Sequence, residues 1–482
     1  MPDLRPVFSI AGALLAILAV AMLVPTALDL ATGNPDWQAF AAAAAVTLFV
    51  GVALMLATRD AGWRGFGLRQ GFLIANLSWV LVALFGALPF VFANPGLGFS
   101  DAVFESMSGI TTTGATVMQG LDEMAPGLLI WRAILNWLGG IGIVVMALAV
   151  LPVLQVGGMQ LFRVESYAVE QVLPRVAQIG AGVAVVYVAL TALGAIALWT
   201  LGMTPFDAVA HAMSAISTGG FSTHDASIAV YGSRGIEAAL ALLMVIGAMP
   251  FVVFLRAATG DPLAMLRDGQ VRWLFGLLAG ATLLIAIWLA TEHYADGGTA
   301  LWIGLFTTIS FITGTGFLID DPTAWGGFPT ALLLLLMFVG GAAGSTASGV
   351  KIFRVQIFVS IAQAQLRRLT QPHGVFIAYF NRRPVPDEIS DQVMGFFFLY
   401  GLAYVVLAAG LGFMGLDFTT ALSAAASAVA NVGPGLGDPL IAAGDFSDLP
   451  EGAKWWLTAG MLLGRLELVT VFVLLTRSFW RG

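Results

Sequence analysis

The chain has 482 residues, of which 59% are apolar and 10% charged, with a formal net charge of −7. Soluble domains carry about 25% charged residues, so this composition excludes an ordinary soluble globular protein and indicates a polytopic membrane protein. There is no cysteine, and the four histidines show no HxxH or HExxH spacing, which excludes a disulfide framework and argues against a transition-metal site.

A membrane-crossing helix needs about 20 apolar residues, whereas a run of about 10–14 is more often re-entrant or interfacial. Residues 1–6 precede an apolar run over 7–24. Its length and the lack of an A-x-A cleavage pattern predict a retained span rather than a signal peptide. Full spans are predicted at roughly 7–27, 37–58, 71–93, 128–154, 178–202, 235–255, 272–292, 328–350, 393–415 and 454–476, ten in all. Four shorter apolar runs lie near 101–111, 206–217, 302–312 and 419–430, each between two full spans.

Each short run ends in a related motif. The copies are Ser108-Gly109-Ile110-Thr111-Thr112-Thr113-Gly114, Ser214-Ala215-Ile216-Ser217-Thr218-Gly219-Gly220, Ser310-Phe311-Ile312-Thr313-Gly314-Thr315-Gly316 and Ser427-Ala428-Val429-Ala430-Asn431-Val432-Gly433. Every copy has Ser six residues before the final Gly and a β-branched residue four before it, and the final glycines are 106, 96 and 117 residues apart. Near-even recurrence indicates a repeat architecture. The expected fold is all-α, with ten transmembrane helices and four re-entrant half-helices. Four parallel span–loop–span repeats stand pseudo-fourfold around a central pore. The expected division is a two-span prefix over 1–69 and repeats over 70–176, 177–270, 271–390 and 391–482.

Small, hydroxylated and glycine residues at the end of a short helix can turn successive carbonyls toward one axis. Four such strands would make a ring of oxygens able to replace the hydration shell of a monovalent cation. Taken singly, each motif is also ordinary small-residue helix packing.

Arginine and lysine cluster in alternate connections: Arg59, Arg64 and Arg69; Arg163 and Arg175; Arg256, Arg267 and Arg272; Lys351, Arg354, Arg367, Arg368, Arg382 and Arg383; Arg477 and Arg481. These connections, and both termini, are expected to be cytoplasmic. The others carry Asp29, Asp36, Asp101, Asp122, Glu123, Asp207, Asp225, Asp296, Asp320, Asp321, Asp417, Asp438, Asp445, Asp448 and Glu451, and are expected to face outward as an acidic vestibule that concentrates cations. All four half-helices then enter from outside with their negative C-terminal ends aimed inward. Irregular backbone at that depth is tolerated where it lines a water-filled cavity.

Two other stretches stand out. Gly340, Gly341, Gly344, Ser345, Thr346, Ser348 and Gly349 fall inside the predicted span 328–350; they fit either close small-residue packing or a break that forms an intramembrane loop. Arg465 lies mid-span with no acceptor at i±3 or i±4, and Glu467 would face elsewhere on a continuous helix. It fits either an ion pair with another span or a cation beneath the filter. The basic connection over 351–383 suits anionic lipid or a cytosolic partner. No GxxxxGK[ST] stretch is present, and nothing points to nucleic acid or an enzyme.

The four-unit pattern resembles the Trk/Ktr/HKT superfamily of potassium transporters. Thr111-Thr112-Thr113-Gly114-Ala115-Thr116, Trp137-Leu138-Gly139-Gly140-Ile141-Gly142, Gly349-Val350-Lys351-Ile352-Phe353-Arg354, Asn431-Val432-Gly433-Pro434-Gly435 and Gly464-Arg465-Leu466-Glu467, with the two-span prefix, are most similar to the bacterial TrkH-type membrane subunit. The resemblance implies a potassium-uptake pathway of the bacterial inner membrane, with potassium as substrate and no organic cofactor. Gly114, Gly220, Gly316 and Gly433 match the filter glycines. The filter would comprise Thr112, Thr113, Thr218, Gly219, Gly314, Thr315, Asn431 and Val432 with them. The run over 340–349 matches an intramembrane gating loop, and Arg465 a pore-blocking basic residue. A homodimer and a separate cytosolic nucleotide-binding regulatory ring are implied as well. Gly314 departs from Thr112, Thr218 and Asn431 in the other copies, removing a side-chain oxygen from one side of the inner filter. The alternatives are a less selective sodium/potassium pathway of the same fold, or a coupled secondary transporter of a small solute. The latter needs a cavity with oriented charged side chains, and the scarcity of intramembrane carboxylates argues against it. A pure receptor or assembly subunit leaves the half-helices unexplained.

Overall fold

A chain in lipid must satisfy its backbone N–H and C=O groups within itself, which makes apolar stretches helical. The structure, a computed structural model, describes residues 3–59, 67–94, 96–149, 158, 176–437 and 444–481. Arg64, Arg163, Arg175, Asp438 and the end of the predicted span 128–154 lie outside the described residues. Among the described residues the fold is helical, apart from a two-stranded antiparallel ladder of Tyr379–Phe380 with Arg383–Pro384 in the basic connection and an isolated parallel bridge between Thr116 and Asp445.

Among the described residues, seven helices are long and apolar enough to cross a membrane: Arg5–Thr32, Trp37–Ala57, Leu68–Phe92, Pro126–Ala147, Gln178–Thr200, Gly269–Thr291 and Asp387–Phe413. Arg234–Ala248 and Phe251–Ala258, bent by 97°, make an eighth if taken as one span. The other two predicted spans are interrupted. Over 328–350, the helix Gly327–Met337 stops and an irregular segment runs to the helix Ile352–Thr370. Over 454–476, the helix Glu451–Arg465 stops and helix resumes at Val469–Leu474. Hydropathy registers apolar content and is blind to these breaks. The backbone at the second reaches a φ of 58° at Glu467.

The predicted short runs are the half-helices Phe99–Ile110, Pro205–Ile216, Gly297–Thr313 and Phe418–Ala430. Acidic or hydroxyl side chains mark their starts, where helix N–H groups lack partners and the dipole is positive. Thr204 accepts from Asp207 N, Asp417 accepts from Thr420 N, and Asp101 sits in the first turn of the first half-helix. The Thr420 hydroxyl and N–H hold the Asp417 carboxyl below its usual range.

The prefix helices approach closely through Gly12 and Gly51, each placed against the other's carbonyl oxygen. Leu15, Met22 and Phe40 pack with Val103, Trp131 and Leu135. Buried Asp29 accepts from Gly127 N at 2.7 Å, which roots the prefix on the start of the helix Pro126–Ala149.

Candidate functional site

The four motifs share one backbone geometry. Thr113 N donates to Ser108 O at 2.8 Å, Gly219 N to Ser214 O at 2.9 Å, Thr315 N to Ser310 O at 2.9 Å and Val432 N to Ser427 O at 3.0 Å. The residue two before each final glycine is left-handed, with φ of 52° at Thr112, 53° at Thr218, 73° at Gly314 and 53° at Asn431. Gly314 therefore keeps the shared conformation at the position where the other three strain an L-residue. It lacks the side-chain anchor of the second and fourth copies, where Thr218 Oγ1 donates to Ser217 O at 2.7 Å and Asn431 Nδ2 donates to Thr113 Oγ1 and Met461 O, both at 2.9 Å; the buried Thr112 hydroxyl of the first copy likewise makes no hydrogen bond among the described residues.

The copies meet in a closed ring. A Cβ built on Gly114 would strike Gly219 O, one on Gly220 would strike Thr315 O, and one on Gly316 would strike Val432 O. A Cβ on Gly433 would lie 2.8 Å from Thr113 O. The carbonyl before each final glycine thus lies against the glycine of the adjacent copy, in chain order, and the fourth copy returns to the first. Above the ring is a cavity of about 250 Å³ bordered by Gly114, Gly220, Gly316, Thr116, Asp225 and Asp445. Near its rim Asp122 and His224 Nδ1 are 2.5 Å apart, and this bond holds the Asp122 carboxyl below the usual carboxylate range.

The β-branched position of the motif sits at a close approach. Ile110 O, Ile216 O and Val429 O press against Gly139, Gly247 and Gly464 of the helices that follow, where any side chain would push the half-helix away.

The segment between Gly327–Met337 and Ile352–Thr370 packs beneath the ring. Gly340, Gly344 and Gly349 have φ of 72°, 73° and 79°, and a Cβ on Gly340 would strike Ser348 O. Gly341 packs against Ala347 and Ser345, and Ser345 Oγ donates to Ala342 O at 2.6 Å. The segment clasps the bend in the preceding unit: Ala342 N donates to Ala248 O at 2.9 Å, and Phe251 N to Gly344 O at 3.0 Å. Thr346 Oγ1 reaches Ile216 O at 3.0 Å and Gly247 O at 2.9 Å, directly under the second motif. The backbone between Met337 and Ile352 is therefore irregular rather than helical, and closely packed through its glycines.

Arg465, 2% exposed, ties this loop to the opposite wall. Its guanidinium donates to Thr346 O at 3.0 Å, to Ser348 Oγ, and to Gly139 O at 3.2 Å. Among the described residues it forms no ion pair. The nearby carboxylate, Glu467, pairs with Arg354 at 2.5 Å instead. Glu467 thus faces away from Arg465, as its spacing predicts, although the helix is broken between Arg465 and Val469 rather than continuous. Lys351 and Arg354, expected in the cytoplasmic basic cluster, are buried.

A second buried pair also escaped sequence reasoning: Arg132 Nε and Glu105 Oε1, 2.7 Å apart, with side chains 2% and 0% exposed. The available signal was an ionisable residue inside an apolar run, which is rare without a role. Glu105 and Glu467 also qualify the expected scarcity of intramembrane carboxylates, but each has an arginine partner.

The family model for TrkH, described as a cation transport protein, matches residues 36–480. The Trk system potassium uptake protein TrkI of Halomonas elongata is 42% identical over 480 residues, covering 99% of this chain and 97% of that protein. The Trk system potassium uptake protein TrkH of Vibrio parahaemolyticus is 38% identical over 491 residues, covering 99% of each. The crystal structure of the potassium transporter TrkH from Vibrio parahaemolyticus superposes with a TM-score of 0.92 at 37% identity, covering 100% of both chains.

Proposed function

The chain belongs to the TrkH family of cation transport proteins, and from that premise we propose that it takes up potassium through a central pore. Four units of leading helix, half-helix, extended strand and trailing helix surround the pore beside a two-span prefix. They make ten crossings, three of them broken. Thr112, Thr113, Gly114, Thr218, Gly219, Gly220, Gly314, Thr315, Gly316, Asn431, Val432 and Gly433 form the selectivity filter.

The observation that carries this reading is the closed ring, in which each motif glycine abuts the carbonyl oxygen of the next copy. Stacked carbonyl oxygens substitute for an ion's hydration shell. Half-helix C-termini add partial negative charge at the same place. A glycine ring without carboxylates among the filter residues suits a monovalent cation that must leave as readily as it enters.

The loop over 340–349 and Arg465 form the gate beneath the filter. Thr346 and Ser348 supply the acceptors that hold the guanidinium across the pathway. The ion is substrate, and the chain uses no organic cofactor. The protein sits in a bacterial inner membrane with both termini cytoplasmic, works as a homodimer, and takes its regulation from a separate cytosolic nucleotide-binding ring. The relatives' names, which place them in a potassium uptake system, support this assignment. Flux into proteoliposomes, measured with potassium, rubidium and sodium in turn, tests it: potassium should pass fastest, and equal passage of all three would remove the filter reading.

A further inference from the structure

The four filter strands are not braced alike. The residue nine positions before each final glycine is Glu105, His211, Thr307 and Ala424 in turn. In the first two copies this side chain bonds the hydroxyl two positions after the glycine. Glu105 accepts from Thr116 Oγ1 at 2.9 Å, and His211 Nε2 lies 3.0 Å from Ser222 Oγ. In the last two copies the strand is held by serine hydroxyls on backbone carbonyls, Ser310 on Phe317 O at 2.7 Å and Ser427 on Gly433 O at 2.6 Å.

The first copy adds a charge pair. The Glu105 carboxylate also accepts from Val117 N at 2.9 Å and from Arg132 Nε at 2.7 Å. Arg132 then crosses to the second copy. Its Nη1 donates to Ser222 O at 2.8 Å, and its guanidinium lies 4.2 Å from the Phe221 ring centroid. Thr116 in turn exchanges backbone bonds with the fourth copy, donating to Gly444 O at 2.8 Å and accepting from Phe446 N at 2.7 Å. One buried ion pair therefore sits where the strands leaving the first, second and fourth filter copies are joined.

We propose that Glu105 and Arg132 are specificity-determining positioning residues, an ionic bracket that fixes the spacing of the first and second filter strands. The proposal rests on the filter reading above. A buried pair persists only when hydrogen bonds satisfy both partners, and here those bonds go to the strands that continue from Gly114 and Gly220. Neutralising Glu105 as an amide leaves one acceptor oxygen for Thr116, Val117 and Arg132 together, which loosens the strand from the half-helix, and leaves the Arg132 cation uncompensated beside the cavity. Both effects act on a cation in the filter: the oxygen ring loosens, and a positive charge opposes entry.

The test is ion flux per folded protein in proteoliposomes for the wild type, Glu105→Gln, Glu105→Asp and Thr116→Val. Glu105→Gln should lower the potassium-to-sodium flux ratio by about tenfold, equivalent to about 1.4 kcal/mol of discrimination. Glu105→Asp, which keeps the charge, should recover part of the ratio. Thr116→Val leaves the ion pair intact and cuts only its hydroxyl link to the strand. It should shift the ratio in the same direction by less, and it carries the test if Glu105→Gln fails to fold. A folded Glu105→Gln variant with the wild-type ratio, or a failed one accompanied by an unaltered Thr116→Val, overturns the bracket. A wild type that does not prefer potassium sinks the filter reading instead.

Discussion

At the scale of single residues, the glycines of the proposed filter are constrained from two directions. Gly114 has a φ of 86°, and its Cβ site is filled by Gly219 O. Gly114→Ser must displace that carbonyl, so it should admit more sodium relative to potassium; relative flux of the two ions measures this, and unchanged selectivity in folded protein removes Gly114 from the filter. The fourfold register that exposes these glycines was legible because the motif has fixed offsets. The meaning of Gly314 was not, since the left-handed backbone it shares with Thr112, Thr218 and Asn431 is invisible in residue types. Arg465 was legible as a costly mid-span cation, but its partners are backbone carbonyls and a serine, which no side-chain pattern announces. Because no acid depends on it, Arg465→Ala should cost only about 1–3 kcal/mol of stability and raise basal potassium flux. Arg465→Lys should fall between, since one ammonium cannot span Thr346 O, Ser348 Oγ and Gly139 O together. Arg354→Ala should behave differently: it strands buried Glu467 and should cost about 3–5 kcal/mol, read as lost folded protein in thermal unfolding. An Arg465→Ala protein that is folded but no more conductive than wild type ends the plug assignment.

At the scale of elements, the trailing helices of the second, third and fourth units are each interrupted: at Met249 and Pro250, between Met337 and Ile352, and between Arg465 and Val469. The breaks contact one another. Phe251 N bonds Gly344 O in the third unit's loop, and Arg465, at the fourth unit's break, bonds Thr346 O. Half-helix positions were read closely from apolar run length, because each run ends at a glycine motif. The interruptions were only partly legible: the glycine density of 340–349 signalled one, while Leu466-Glu467-Leu468 carries neither Gly nor Pro. Gly340, Gly344 and Gly349 adopt positive φ, so alanine at these positions strains the native loop rather than simply promoting helix. Gly349→Ala would bring a Cβ within 2.9 Å of Gly340 Cα. It should loosen the loop from Arg465 and raise flux in the absence of any cytosolic partner, with little change in the potassium-to-sodium ratio. A variant that loses stability without changing flux would identify the loop as packing alone.

At the scale of the whole molecule, several charged side chains that depart from the expected alternation of basic and acidic connections are paired locally. Lys454 pairs with Asp101 at 2.7 Å and Arg132 with Glu105 at 2.7 Å. Glu467 is bound to Arg354. The acids left over hold loops in place: Asp225 accepts from Leu121 N at 3.1 Å, and Asp445 from Gln119 Nε2 at 2.8 Å. Both also border the cavity above the glycine ring. Fixed carboxylates around a narrow mouth with low-dielectric walls raise the local concentration of cations. The range of that field follows the Debye length, about 30 Å at 0.01 M salt and about 10 Å at 0.1 M. With potassium well below saturation, raising an impermeant choline salt across that interval should slow uptake about twofold or more. At saturating potassium the same salt should have no effect, because entry no longer limits the rate. Asp225→Asn and Asp445→Asn together should flatten the salt dependence while leaving the saturated rate and the ion preference intact. An uptake rate insensitive to salt at low potassium would mean that the acidic face organises the outer loops and does not steer the ion.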